Sequence, residues 1–179
     1  MPLPDEPTIA TERIFKGRIL GFRVDTVRLY DGKTSTREIV EHRGAVVIVP
    51  IDAQGRVLLV TQYRKAIEQE MLELPAGGLN LGEAHADAAL RELREEVGVG
   101  AGKLEYLGGF YAAPGYCEEF LHLYLATDLH PAPLDQDEDE NVVVQPHTMA
   151  EALAMIEDGT IRDAKSVAGL LRVARRLGV

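Results

Sequence analysis

The chain is poor in what most non-globular and most extracellular proteins need. Its single cysteine, Cys117, excludes an intrachain disulfide and points to a reducing, cytoplasmic setting, with the thiol as a small packing residue. No basic start leads into an apolar core at the N-terminus, which reads Pro2, Pro4, Asp5, Glu6, Pro7, so no secretory signal is expected. The longest apolar run, Ala45 to Ile51 with Pro50 inside it, is far too short to span a bilayer. Positive charge is scarce: 19 Lys and Arg against 29 Asp and Glu give a formal charge of -10. That balance argues against a nucleic-acid backbone or an anionic membrane as partner. It still allows a diphosphate ligand, provided bound cations and a few arginines reverse the local field. The five histidines, at 42, 85, 122, 130 and 147, lack zinc-ligand spacing and read as surface or packing residues. There is no repeat at solenoid period, no Ser or Cys nucleophile pattern, and no P-loop, since Gly77-Gly78 lacks the following Lys-Ser/Thr.

What is present is 179 residues with 46% apolar and 27% charged content, the composition of one soluble domain, with or without a small appendage. Residues 1 to about 10 read as a disordered tail. Extended segments follow at Ile14-Phe15, Ile19 to Tyr30 and Thr34 to His42, the last two joined by the turn signal Asp31-Gly32. Ala45 to Pro50 has the β-branched run of a strand buried on both faces. Arg56 to Tyr63 is the next strand, and a loop from Pro75 to Gly82 leads to a helix over Glu83 to Val97, closed by Gly98. Strands are expected near Leu104 to Tyr111, Glu119 to Ala126 and Val142 to Val144, with an acid-rich loop from Asp128 to Glu140. Thr148 with Glu151 forms a capping-box signal before a helix over Met149 to Glu157, and a last helix covers Asp163 to Leu177. Strands mixed with single helices predict a layered α/β sandwich.

Within that pattern Glu92, Glu95 and Glu96 share one helical face by their i, i+3, i+4 spacing. Two carboxylates 6 Å apart repel by about 3 kcal/mol at an effective dielectric near 20. A solvated face would intersperse lysines, whereas Arg91 and Arg94 are the nearby cations, and the apolar stripe of Ala86, Ala89, Leu90, Leu93 and Val97 lies largely on another arc. The spacing therefore points to a hard divalent cation held by oxygen ligands.

The stretch reads Gly77, five residues, Glu83, seven residues, Arg91-Glu92-Leu93, Glu95-Glu96, Gly98-Val99. It resembles the signature of the Nudix hydrolases at every fixed position. Gln62-Tyr63-Arg64, the run Leu72 to Gly78, and Pro114 lying 16 residues beyond Gly98 resemble the ADP-ribose pyrophosphatase branch; a turn-forming Pro-Gly explains Pro114-Gly115 equally well. The resemblance implies an α/β fold, an α/β/α sandwich with a mixed sheet plus N-terminal antiparallel strands. It divides the chain into residues 1–42, a dimerisation element, and residues 43–179, the hydrolase domain. It implies Mg²⁺-dependent (or Mn²⁺-dependent) hydrolysis of ADP-ribose to AMP and ribose 5-phosphate by a homodimer. Glu92 and Glu96 would be the main metal ligands, with Glu95 a further ligand or acid and the Ala76 carbonyl a backbone ligand. Arg91 would orient the glutamates, Glu83 would ligate metal or fix the loop, and Gly77 and Gly98 would serve backbone geometry. Arg64 would contact the diphosphate, Glu119 the terminal ribose, and Glu73 a metal or an arginine. Arg43 would stack on adenine or lie at a strand end as a surface charge. Glu138 and Glu140 in the acidic loop match general-base positions, Glu138 being preferred. The rival readings are another nucleoside diphosphate sugar, such as GDP-mannose, and a catalytically silent nucleotide-binding domain.

Overall fold

Alternating β-branched and charged residues between Thr8 and His42 fold into three antiparallel strands, β1 (Thr8–Lys16), β2 (Leu20–Arg28) and β3 (Thr34–His42), in the order β1-β2-β3. The structure is a computed structural model that describes residues 4–135 and 141–179. It divides into two compact units, Met1–Gly44 with Tyr111–Phe120, and Ala45–Phe110 with Leu121–Val179. In the first unit the expected turn closes the β2–β3 hairpin, with Gly32 at φ 84° and the Leu29 amide donating to the Lys33 carbonyl. The expected disordered tail is shorter than the sequence suggests. Strand β1 begins at Thr8, the Arg28 amide donates to the Pro7 carbonyl, and the Arg37 guanidinium grips both carboxylate oxygens of Glu6 at 2.8 and 2.6 Å. Backbone pairing with β2 supplies the order that this composition alone does not. Asp25 is buried beneath β1 and accepts from Thr11 and Arg23. The Pro114-Gly115 segment runs along β3, where the Val40 amide donates to the Tyr116 carbonyl and the Glu118 amide to the Val40 carbonyl.

The second unit contains β4 (Ala45–Pro50), β5 (Arg56–Arg64), β6 (Gln69–Glu73), β7 (Ala76–Gly78), α1 (His85–Glu96), β8 (Val99–Tyr111), β9 (Phe120–Pro131), β10 (Val142–Thr148), α2 (Met149–Glu157) and α3 (Ala164–Leu177). A mixed sheet runs β7-β4-β9-β8, with β4 parallel to β9 and antiparallel to β7; an antiparallel sheet runs β10-β5-β6. Every residue of β4 is buried, and its period-two alternation defines the layers. Val46 and Ile48 pack with Ala88, Ala89 and Leu93 of α1. Val47 and Val49 pack with Leu170, Val173 and Ala174 of α3. Each such side chain contributes about 1.5–3 kcal/mol by burial, so helices are held on opposite faces of one strand, the sandwich that was expected.

The differences from the sequence reading are at edges. Strand β6 was not anticipated, and β7 lies inside the segment read as a loop. Its three residues Ala-Gly-Gly have little strand propensity of their own; they pair because the open edge of β4 supplies partners at Ala45, Val46 and Val47. Helix α1 starts at His85, two residues later than expected, without a side-chain cap from Ala84. Strands β8 and β9 extend beyond the predicted ends. At the start of α1 the His85 ring stacks on His122, centroids 4.2 Å apart, and hydrogen-bonds the Tyr124 hydroxyl; Tyr106 hydrogen-bonds His122 at 3.2 Å. These two histidines are packing residues. Among the described residues no helix is long and apolar enough to cross a membrane, which says nothing of strand-built spans.

Candidate active site

The acidic face of α1 is assembled from a short strand, a loop and one helix of the second unit. Glu92 and Glu96 are 6% and 3% exposed, and Glu95 is half-buried. Carboxylates are rarely that buried without partners. Arg91 supplies one. Its Nε and Nη2 donate to Glu83 at 2.9 and 3.1 Å, its Nη1 donates to Glu92 Oε1 at 2.6 Å and to Glu95 Oε2 at 2.8 Å, and Nη2 also reaches the Gly78 carbonyl. Glu83 also accepts from the Asn80 amide, so this glutamate ties the loop to Arg91, as one of its two expected roles required. The Arg91 hydrogen bonds hold the Glu83 carboxyl below its ordinary range. Conversely, the bonds that Arg91 donates to Glu83, reinforced by Glu92 and Glu95, outweigh burial and raise the Arg91 pKa further. One guanidinium against Glu83, Glu92, Glu95 and Glu96 leaves an excess of negative charge.

Two backbone features complete the face. The Ala76 amide donates to Glu96 Oε2 at 3.0 Å. The Ile48 amide donates to the Pro75 carbonyl, which makes the neighbouring Ala76–Val47 pair the one without mutual hydrogen bonds. The Ala76 carbonyl therefore points off the sheet edge, on the same side as its amide. Gly77 leaves room for the Glu92 carboxylate: a Cβ there would sit 2.0 Å from its carbon, so any side chain would displace that end of Glu92. This corrects the expectation that Gly77 serves a positive φ, because its backbone lies outside that region. Gly98 does adopt φ 77° directly after α1, as a C-terminal glycine should.

A second ionic cluster adjoins this face. Glu73, 2% exposed, accepts from Arg64 Nε at 3.0 Å and Nη2 at 2.6 Å, and from Lys165 of α3, which also lies 3.0 Å from Asp163. Of its two expected partners Glu73 therefore has the arginine. Burial works against its charge, yet Arg64 and Lys165 together keep the carboxyl below its ordinary range. The hydrogen bonds to Glu73 outweigh burial and raise the Arg64 pKa, with the charge of Glu96 adding to the effect. Lys165 and Asp163 were missed by sequence reasoning. The signal was there: a lysine in the first turn of a helix, against the dipole, beside an aspartate cap.

Arg43 and Glu119 belong to the first unit. Arg43 lines a cleft of about 330 Å³ with Arg13, Lys16, Arg18 and Glu41. Glu119 Oε1 lies 3.6 Å from His42 Nδ1, which also meets the Gly44 amide at 3.1 Å. Glu138 and Glu140 lie outside the described residues.

The donor set of α1, three carboxylates with an outward carbonyl and surplus negative charge, is all oxygen and suits a hard divalent cation. Among the described residues no three acidic, histidine or cysteine side chains stand converged as a metal group; Arg91 occupies the position between Glu92 and Glu95. A glutamate-lined helix folded against a Gly-containing strand edge, with an arginine at its centre, is the Nudix arrangement, and the NUDIX domain family model matches residues 41–170. The chain belongs to the NUDIX family. It is 42% identical over 164 residues to an ADP-ribose pyrophosphatase of Bacillus subtilis, covering 90% of this chain and 89% of that protein. It is 42% identical over 167 residues to a methanol dehydrogenase activator of Bacillus methanolicus, covering 91% and 89%. A crystal structure described as an ADP compounds hydrolase superposes with a TM-score of 0.88 at 28% identity, covering 99% of this chain and 97% of that one. The α/β/α fold and the family read from the sequence agree with these findings, as does the expected diphosphatase branch.

Proposed function

We propose that the protein hydrolyses the diphosphate bond of ADP-ribose, giving AMP and ribose 5-phosphate. The observation that carries this is the buried acidic face of Glu92, Glu95 and Glu96 held against Ala76 and Gly77. Supporting it, relatives of comparable length carry the names ADP-ribose pyrophosphatase and ADP compounds hydrolase.

Glu92, Glu96, Glu95 and the Ala76 carbonyl are the groups that would hold Mg²⁺, or Mn²⁺ in its place. When bound, such a cation supplies neutralisation of diphosphate charge and a lowered pKa for the attacking water. Arg91 bridges Glu92 and Glu95 through Nη1 and ties them to the loop through Glu83 and Gly78. Arg64 contacts the diphosphate, and Glu73 orients it. Arg43 stacks on adenine and Glu119 accepts from the terminal ribose. Water attacks one phosphorus, its proton passes to a carboxylate (Glu138, Glu140 or Glu95), and the bridging P–O bond breaks with the second phosphate as leaving group.

Residues 1–42 act as a dimerisation element beside a hydrolase domain of residues 43–179. Support comes from β1, whose residues are all exposed and include Ile9, Ile14 and Phe15. The lone Cys117 supports a cytoplasmic setting, and the net charge supports a small-molecule substrate over nucleic acid or membrane. A screen of ADP-ribose, GDP-mannose and other nucleotide sugars, with product chromatography in Mg²⁺ and in chelator, tests the reading. ADP-ribose should be cleaved fastest, and only with the cation; equal turnover in chelator, or no products from any compound, removes it.

A further inference from the structure

The proposed chemistry leaves one cation beside it without a task. Lys165 lies in the first turn of α3, where positive charge opposes the helix dipole and where no acidic residue stands. Its side chain is 13% exposed, hydrogen-bonded to Glu73 and 3.0 Å from Asp163. Burying an ammonium costs several kcal/mol unless it is paired, so packing alone is no reason to place a lysine here. Glu73 is the reason.

The two cations on Glu73 are unequal. Arg64 ends β5, is 39% exposed, and grips Glu73 through Nε and Nη2, which turns its Nη1 edge away from that carboxylate. Lys165 is the more buried of the two cations and is anchored to Asp163, the residue that caps its own helix. A carboxylate with one partner would aim Arg64 but also cancel its charge. A carboxylate shared with Lys165 still aims the guanidinium, and Lys165 brings the group of Arg64, Glu73 and Asp163 from net negative to neutral, so that it does not repel an arriving anion.

We propose that Lys165 is a positioning residue for the diphosphate: it fixes Glu73 and offsets the negative charge of Glu73 and Asp163, so that Glu73 aims Arg64 without making the site net negative. The inference rests on the reading of Arg64 as the diphosphate contact. It adds to that reading a residue 92 positions from Glu73 in sequence.

The experiment measures KM and kcat for ADP-ribose, and the calorimetric Kd of a methylene-bridged ADP-ribose that cannot be cleaved at the bridge. The variants are Lys165→Met, Lys165→Gln, Lys165→Arg, Arg64→Met and the Arg64→Met/Lys165→Met double. Lys165→Met should raise KM and Kd about tenfold with kcat within about threefold of wild type, the mark of lost ground-state binding. Lys165→Gln, which keeps a donor to Glu73, should do the same if Lys165→Met does not fold. Lys165→Arg should recover both constants to within about threefold. The double variant should be no weaker than Arg64→Met, since both act through one group. Unchanged constants in the Met and Gln variants, while Arg64→Met weakens binding, overturn the role of Lys165 alone, and additive losses in the double do likewise. Unchanged constants in Arg64→Met overturn the diphosphate contact, and Lys165 with it.

Discussion

At Gly77 one methyl group decides where the Glu92 carboxylate sits. That carboxylate occupies the space a side chain would take, so Gly77→Ala turns the flexible end of Glu92 away from Arg91 while helix and strand stay together. An off-rotamer side chain costs about 0.5–1.5 kcal/mol, and a chain of this size loses about 2–4 °C of Tm per kcal/mol. Calorimetry should show a loss no larger than that, whereas turnover should fall because Glu92 is displaced. Glu96→Gln is the complementary change: its amide oxygen still accepts from Ala76, so the circular dichroism spectrum should be unchanged while kcat falls by about 100-fold or more. Full activity in that variant would end the assignment of Glu96. The residues around Arg91 were legible in the sequence because a helix converts spacing into a shared face. The reason for Gly77 was not, since a close approach between strand and helix has no local signature.

At the scale of elements, α2 is the helix whose sequence says most about its own boundary. Thr148 accepts from the Glu151 amide and Glu151 reaches back to the Thr148 amide, the reciprocal box its spacing predicts. Thr148→Ala should cost about 1 kcal/mol and lower Tm by about 2–4 °C, with KM for ADP-ribose unchanged; a thermal melt beside the kinetic assay checks both. Strands β6 and β7 carry no comparable signal. Gln69–Glu73 mixes charge with few apolar residues, and Ala76–Gly78 has no β-branched residue at all. Each is a strand because a neighbour, β5 or β4, offers it an unpaired edge.

Across the larger unit, the start of α1 is joined to β8 and β9 through stacked His85 and His122 with Tyr106 and Tyr124 around them and Asp87 nearby. Burial, with His85 beside it, pulls His122 below its ordinary value of 6.5. The unfolded chain therefore binds this proton more readily, so stability is complete above about pH 6.5 and is lost as pH falls toward the folded-state value. Melting temperature should drop from pH 7.5 to 5.5, and His122→Gln should shallow that slope; an unaltered slope would show that other groups govern it. By itself the sequence determined the Nudix signature, the buried central strand, the Thr148 cap of α2 and the Gly98 stop after α1, because each depends on neighbours within a few turns of chain. Only the tertiary structure decided that Glu92 leans on Gly77, that His85 stacks on His122, and that Lys165 meets Glu73. Those distances are set by which faces pack together, and a cation and a carboxylate 92 residues apart have no local pattern that announces their meeting.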